Sequence, residues 1–341
     1  MKTFASVRRF GAVVPFVLLV AAGTVSARPI VGGGVLVDRD PNNDTVVGAA
    51  YYFNALHSDA RVGIGTFGPS DSTDYYGWQM PANTVVTAMT IPLSSPTGPF
   101  LTPGTSVLLS SGDGTIQHVN AGSGGTDQSG STPNSGGSVA RARPAAGGNQ
   151  KVRIASGESG SYAVLVSVYT GDGGDFEEQE PNNGPAFPLV LGLRMGGPMI
   201  GMGALTAGDV DYYAVDMKKG EVLGAVTTPV ENFPTTIDVP DTVMDVIDTN
   251  GAAVLVTNDD AGSDQTGTAR GSAVRYRAVA DGRYFLRVRG FNASAAGKYA
   301  LTAVLLAPPP GTECIADFNG DGVVNTNDLV TFLGRFGQPC P

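Results

Sequence analysis

The sequence predicts a mainly β protein, built from two tandem β-sandwich or jelly-roll domains and a small C-terminal α module. Two long segments carry the same short motifs in the same order, which indicates a duplicated domain. Within them, apolar and polar residues alternate with a period of two, as in residues 212–217 and 283–289, and this is typical of strands with one face in a core. Near the C-terminus apolar residues instead recur at helical spacing.

The first residues have the pattern of a secretory signal. Basic residues precede an apolar run at residues 13–22, and Val25-Ser26-Ala27 fits the small-residue cleavage rule. We therefore expect a signal peptide over residues 1–27 and a secreted protein, extracellular or associated with the cell surface. The alternative is an uncleaved membrane anchor, but the apolar run is short for a span, so no transmembrane segment is expected after cleavage.

The duplication sets the domain organisation. An acidic-x-acidic-Pro-Asn-Asn motif ends at Asn43 and again at Asn183, and a Gly-x-Tyr motif begins at Gly160 and again at Gly297. Most motifs repeat at an offset of about 137 residues. The sequence thus predicts two copies of one domain, over residues 34–170 and 177–306, each with about eight short strands.

A proline-rich linker is expected over residues 307–312, followed by a terminal module over residues 313–341. In this module, oxygen-bearing side chains occupy positions 1, 3, 5, 9 and 12 of a loop with glycine at position 6, the ligand order of an EF-hand calcium loop. The alternative is a polar turn without metal. The predicted Ca²⁺ ligands are Asp317, Asn319, Asp321, Val323 through its carbonyl, Asn325 and Asp328.

A short helix and a disulfide are expected to support this loop. The only two cysteines, Cys314 and Cys340, bracket the module. One bridge between them would close a loop of about 27 residues and stabilise it by roughly 3–4 kcal/mol. The apolar stripe of the predicted helix consists of Leu329, Phe332, Leu333 and Phe336.

The terminal module resembles one calcium-binding repeat of a type I dockerin. Its flanking cysteines resemble those of the anchor modules of planctomycete-like secreted proteins. Dockerins generally carry two repeats and bind cohesin modules, often in polysaccharide-degrading complexes, whereas this chain carries one. The resemblance implies a cohesin-like or cell-surface receptor as partner, selected in part by Thr326 and Asn327.

The second copy resembles the bacterial pre-peptidase C-terminal domain, and the first copy is a diverged relative. That family is a small, non-catalytic β-sandwich appended to exported enzymes. The resemblance rests on Glu178-Gln179-Glu180-Pro181-Asn182-Asn183, the Gly-Asp-Val-Asp-Tyr-Tyr motif at residues 208–213, Pro240-Asp241, Asp259-Asp260, the Asp-Gly-Arg-Tyr motif at residues 281–284, and Gly297-x-Tyr299.

This second resemblance implies another calcium site. Clustered carboxylates beside a linker repel one another unless a divalent cation or solvent screens them. The alternative is a solvated acidic linker followed by the start of a strand. The residues that match the family's ligand positions are Glu178, Glu180, Asn182, Asn183, Asp209 and Asp211, with Asp38, Asp40, Asn42 and Asp74 as shorter counterparts in the first copy.

Two further groups of residues receive structural interpretations. Asp241 and the pair Asp259-Asp260 are interpreted as turn or strand-end residues. Trp78 and the Tyr-Tyr pairs could form a platform for sugar or protein, but we expect them in the cores.

The net charge and the sequence motifs limit the classes of function that this chain can have. A net charge of −10 and a pI of about 4.6 argue against nucleic acid as a partner. The two histidines lie outside any His-Glu-x-x-His pattern, and no Gly-x-Ser-x-Gly elbow occurs. We expect a secreted, non-catalytic calcium-binding protein. The alternatives are an adhesin that binds protein fibres or polysaccharide, and an accessory or divergent extracellular hydrolase.

Overall fold

The computed structural model describes residues 35–37, 50–55, 57–94, 100, 102–122, 124–128, 136–265, 270–308 and 326–335. The chain is mainly β, as predicted, with several sheets. No helix in these ranges is long and apolar enough to cross a membrane.

Ten strands make up the part of the chain that we call the first half. They are β1 (Val35–Val37), β2 (Ala50–Asn54), β3 (Asp59–Phe67), β4 (Thr73–Met80), β5 (Val85–Pro92), β6 (Ser106–Ser111), β7 (Gln117–Ala121), β8 (Val139–Ala142), β9 (Gly148–Ala155) and β10 (Gly160–Tyr169).

Eleven strands make up the second half, and one helix follows them. They are β11 (Phe176–Glu177), β12 (Leu189–Val190), β13 (Met199–Leu205), β14 (Val210–Met217), β15 (Val222–Pro229), β16 (Thr242–Ile247), β17 (Val254–Asn258), β18 (Ser263–Asp264), β19 (Ala273–Arg277), β20 (Gly282–Gly290), β21 (Gly297–Leu306) and α1 (Thr326–Arg335).

Each half contains two sheets, and the strand order is the same in both halves. The first half has an inner sheet, β1-β3-β10-β5-β8, and an outer sheet, β2-β4-β9-β6-β7. The second half has an inner sheet, β11-β13-β21-β15-β19, and an outer sheet, β12-β14-β20-β16-β17. In all four sheets the first pair of strands is parallel and the others are antiparallel. The short strand β18 joins the inner sheet of the first half, beside β8.

A hydrophobic core fills the space between the two sheets of each half. In the second half, Tyr213 of the outer sheet and Leu301 of the inner sheet belong to one buried cluster. In the first half, Trp78 of the outer sheet and Val164 of the inner sheet likewise belong to one buried cluster. The prediction that Trp78 and the Tyr-Tyr pairs pack in the cores is confirmed for Trp78 and Tyr213, which are buried, whereas Tyr75 is only half-buried. Apolar side chains on facing sheets thus supply the main driving force for each half.

A third core lies between the two inner sheets. Ile91 on β5 and Leu165 on β10 share this cluster with Val226 on β15 and Val304 on β21. The four sheets are therefore stacked in the order outer, inner, inner, outer. Residues 162–169 consequently have both faces buried, whereas period-two alternation predicted strands with only one buried face. The apolar run in this strand is what two-sided burial requires.

Candidate metal centre

The acidic motif of the second half crosses from the inner sheet to the outer sheet. Glu178 follows β11 directly, and its backbone N–H donates to the carbonyl of Met202 on β13. Four residues later, the carbonyl of Asn182 accepts the backbone N–H of Tyr212 on β14. These two backbone hydrogen bonds attach one end of residues 178–182 to the inner sheet and the other end to the outer sheet. The side chains of this segment therefore lie at the edge of the second half's core.

Three carboxylates meet at this crossing. Glu178, Glu180 and Asp211 each place one oxygen so that the three atoms lie within 4.8 Å of one another. Glu178 is further held by the backbone N–H of Ala204, 2.7 Å from its Oε1. Such a group of oxygens matches the preference of a hard divalent cation for carboxylate ligands.

Two buried tyrosines donate hydrogen bonds to the carboxylates of this cluster. Tyr299 donates to Asp211 Oδ2 at 2.5 Å, and Tyr213 donates to Glu178 Oε2 at 3.2 Å. The two hydroxyl oxygens are 2.7 Å apart. Burial raises the pKa of both tyrosines well above the usual value, so they remain protonated and act as donors. They orient the carboxylates but do not neutralise them.

Several buried side-chain atoms at this cluster have no hydrogen-bond partner among the described residues. Asp211 is 0% exposed and its Oδ1 has no hydrogen-bond partner there. Asn182 is 1% exposed, and neither its Oδ1 nor its Nδ2 has a partner among the described residues. Burial raises the pKa of Asp211 to about 8 and, with the charge of Glu180, also raises the pKa of Glu178. A buried carboxylate of this kind needs either a proton or a cation.

Asn183 and Asp209 lie at the rim. One end of the Asn183 side-chain amide is 3.1 Å from Glu180 Oε2 and 3.0 Å from Asp209 Oδ1, and with its nitrogen turned toward them it donates to both. Asp209 also accepts hydrogen bonds from the backbone N–H groups of Thr206 and Val210. Of the six residues that the resemblance implied, Glu178, Glu180 and Asp211 form the centre, Asn183 and Asp209 flank it, and Asn182 is buried beside it in the chain.

The first half repeats part of this arrangement. Tyr162 donates to Asp74 Oδ2 at 2.7 Å, and the hydroxyl oxygens of Tyr162 and Tyr76 are 2.8 Å apart. The counterparts Asp38, Asp40 and Asn42 lie outside the described residues.

A second acidic group is one that the sequence interpretation did not bring together. Oxygens of Asp241, Asp259 and Asp260 lie within 4.8 Å of one another. Asp241 precedes β16 and Asp259 follows β17, so the interpretation as strand-end residues agrees with their positions. Arg270 already contacts Asp241 Oδ2 at 2.5 Å. Their proximity depends on the pairing of β16 with β17, and the Pro-Asp and Asp-Asp dipeptides were its only local signal.

The predicted terminal calcium loop lies outside the described residues. This applies to Asp317, Asn319, Asp321, Val323 and Asn325, to the side chain of Asp328, and to the cysteines Cys314 and Cys340. Helix α1 begins at Thr326, within the last three positions of the predicted loop, and two residues of its predicted apolar stripe, Leu329 and Leu333, are exposed.

Comparisons with known proteins do not assign the chain to a class. No family model matches it, and no curated protein matches it. Among solved structures, the Aeromonas hydrophila periplasmic inhibitor of g-type lysozyme, PliG, is 15% identical, with 35% of this chain and 95% of that chain covered and a TM-score of 0.26. The CUB1-EGF-CUB2 domains of human MASP-1/3 are 9% identical, cover 72% of this chain and 99% of theirs, and give a TM-score of 0.21. Similarity this low defines neither a fold family nor a function.

Proposed function

We propose that this chain is a secreted, non-catalytic calcium-binding protein. Its two halves are tandem β-sandwich domains of the pre-peptidase C-terminal type that serve binding or spacing. A dockerin-like module at the C-terminus anchors it to the cell surface or to an extracellular complex, through a cohesin-like or other surface receptor. The signal-like N-terminus supports an extracellular location.

One observation carries the proposal: the buried, partly unpartnered carboxylate of Asp211 lies among the oxygens of Glu178 and Glu180. Asp209 stands beside them and could contribute further oxygens, while the Asn183 amide nitrogen donates to Glu180 and Asp209 and orients both carboxylates. Carboxylate and amide oxygens are the ligand set that Ca²⁺ takes in proteins, usually six to eight at a time. The ion would supply the positive charge that the buried carboxylate otherwise obtains from a proton.

The site suggests a mechanical role for the ion. Glu178 is fixed to β13 of the inner sheet, whereas Asp211 belongs to β14 of the outer sheet. A cation held by both residues would join the two sheets where the chain enters the second half. Because the folded state alone offers this arrangement, binding stabilises it, by about 2.7 kcal/mol at a hundredfold excess over the Kd.

The proposal is tested by calcium titration of the full chain and of its Asp211→Asn variant. The variant keeps the shape of the side chain but loses its charge, so we expect it to bind one ion fewer per chain. Isothermal titration calorimetry measures this stoichiometry, and a thermal-shift assay in calcium and in chelator measures the lost stabilisation.

Asp216→Asn is the matched control. Asp216 lies on the same strand, is exposed, and forms an ion pair with Arg283 at 2.8 Å, away from the cluster. This variant should bind as many ions as the original chain. Equal stoichiometry for Asp211→Asn and the original chain would rule out the site.

The terminal loop is tested separately. Asp317→Asn should remove one ion without affecting the site at Asp211, and the combined variant should lose both. Calcium should increase the helical circular dichroism of the original chain and of Asp211→Asn, but not that of Asp317→Asn, if the loop orders α1. No calcium-dependent gain in helicity in the original chain would contradict the dockerin-like interpretation.

A further inference from the structure

The contact between the two halves contains a buried arginine from each side. Arg141 on β8 of the first half is 1% exposed and reaches into the second half. It donates to the main-chain carbonyls of Thr227 at 3.0 Å, Ala261 at 2.5 Å and Ser272 at 3.5 Å. The guanidinium group of one first-half arginine thus donates hydrogen bonds to three main-chain carbonyls of the second half.

Arg275 on β19 of the second half makes the reciprocal contact. It is 0% exposed and donates to the carbonyls of Thr90 at 2.7 Å, Gly124 at 2.8 Å and Ser138 at 3.3 Å, all in the first half. Burial lowers the pKa of Arg141 to about 10 and that of Arg275 to about 9, so both guanidinium groups remain charged at neutral pH.

The two sets of acceptors occupy equivalent positions of the repeat. The offsets between them are about 134 to 137 residues, the same as between the repeated motifs. The equivalent pairs are Arg141 and Arg275, Thr90 and Thr227, Gly124 and Ala261, and Ser138 and Ser272.

Equivalent glycines make room for both guanidinium groups. A Cβ added to Gly137 would lie 2.5 Å from Arg275 Cζ and equally close to the Thr90 carbonyl oxygen of its own half. One added to Gly271 would lie 2.8 Å from Arg141 Cζ and closer still to the Thr227 carbonyl oxygen. These distances are too short for any side chain. Each half therefore has one arginine that enters the other half. Each half also has a binding site for the other half's arginine, formed by three carbonyls and one glycine, which we call the cradle.

Backbone segments near these arginines also pair across the contact between the halves, once in each direction. Thr126 of the first half forms a parallel bridge with Val274 of the second. Ser263 of the second half pairs in parallel with Ala140 of the first.

Glutamine side chains extend this exchange. Gln128 accepts the backbone N–H of Arg277, and Gln265 accepts that of Arg143, at 2.8 and 2.7 Å. Hydrogen bonds of the same type thus run in both directions across the contact.

We propose that each half carries a surface built to pair with a second copy of the same fold, and that the two halves of this chain satisfy each other as the subunits of a two-fold homodimer do. The reciprocity of the contacts is the defining property of an isologous interface. The apolar cluster shared by the inner sheets gives this surface its area, and the two arginines fix its register. The linker between β10 and β11 is then unnecessary for the association.

The first test cuts that linker in the full chain. A protease site inserted between Gly173 and Gly174 separates the halves covalently after folding. We expect the cut protein to keep the mass of the intact chain in light scattering after size-exclusion chromatography, although denaturing electrophoresis shows two fragments. Separation of the fragments at micromolar concentration would overturn the proposal.

The second test blocks one surface. In the variant Gly137→Leu, Arg141→Glu, the first half has neither cradle nor arginine, while the second half keeps both Gly271 and Arg275. The second halves of two chains should therefore pair with each other, and the mass should double. Adding Arg275→Glu should return the chain to monomers.

The control has the same kinds of substitution at exposed places. Gly157, whose added Cβ would meet nothing within 4 Å, becomes Leu, and the exposed Arg283 becomes Glu. This variant should remain monomeric. A blocked variant that is monomeric or forms undefined aggregates, while its far-ultraviolet spectrum is that of the original chain, would contradict self-pairing. The readouts are masses measured in chelator, so they do not depend on the calcium proposal.

Discussion

A carboxylate hydrogen-bonded to one of a pair of tyrosines occurs in both halves, so this arrangement is part of the repeated fold. Tyr299 contacts Asp211 in the second half, and Tyr162 contacts Asp74 in the first. In the second half, Glu178 and Glu180 also approach this carboxylate, whereas their counterparts Asp38 and Asp40 lie outside the described residues. A tyrosine hydroxyl can orient a carboxylate, but only a proton, a cationic side chain or a metal ion can compensate its charge. The metal function is therefore proposed for the second half.

Asp172, in the segment that joins the halves, is predicted to make stability depend on pH. Burial acts to raise its pKa, but hydrogen bonds from Ser58, Thr170 and His57 outweigh burial and lower it. Because the folded pKa is below the unfolded value of about 4, this contribution is present above pH 4 and is lost as the pH falls through the folded pKa.

Asp172→Asn should therefore lower the Tm at neutral pH, and the difference from the original chain should shrink as the pH falls below about 4. Thermal unfolding monitored by circular dichroism between pH 3 and pH 7 checks this. A difference that grows toward acid pH would contradict the assignment.

At the scale of single elements, strand β10 shows how two-sided burial is encoded. Val164 and Val166 face the core of the first half, while Ala163 and Leu165 face the core that both halves share. The strand thus contributes to two cores at once, which is why its sequence is apolar at consecutive positions.

Leu165→Ala should reduce the free energy of unfolding by about 2–5 kcal/mol, because it leaves a cavity in the shared core. Ile64→Ala on the adjacent strand β3 is the control. Leu165 is 1% exposed whereas Ile64 is 42% exposed, and exposed substitutions usually change stability by no more than about 0.5 kcal/mol. Urea denaturation measures both, and equal effects would show that the inner sheets do not pack tightly.

At the scale of the whole molecule, the shared core predicts that the two halves unfold together. Differential scanning calorimetry in chelator should show one transition for the β halves, with equal calorimetric and van't Hoff enthalpies. Calcium should move this single transition upward as a whole, although the site proposed at Asp211 lies in the second half. Two separate transitions, with only one responding to calcium, would mean that the halves are independent.

The repeated motifs and the alternation of apolar residues are local patterns, and they were sufficient to predict a mainly β chain with a duplicated plan. The acidic motif was also visible locally, because Glu178 and Glu180 are two residues apart. Its approach to Asp211 was inferred only through a family resemblance, since the two segments meet through sheet packing that leaves no pattern in either of them.

The sequence by itself thus indicated a mainly β chain, its duplicated plan and the acidic segment that leads into the second half, because each depends on residues close together in the chain. It predicted about eight strands per copy, whereas ten and eleven are described, because short edge strands such as β11, β12 and β18 depend on pairing with distant strands. Only the tertiary structure decided that the inner sheets face each other and that Arg141 and Arg275 are buried. Both arginines stand in short strands where a charged residue would ordinarily face solvent. Their carbonyl partners are 86 to 185 residues away in sequence, so no local periodicity records the contacts that hold them.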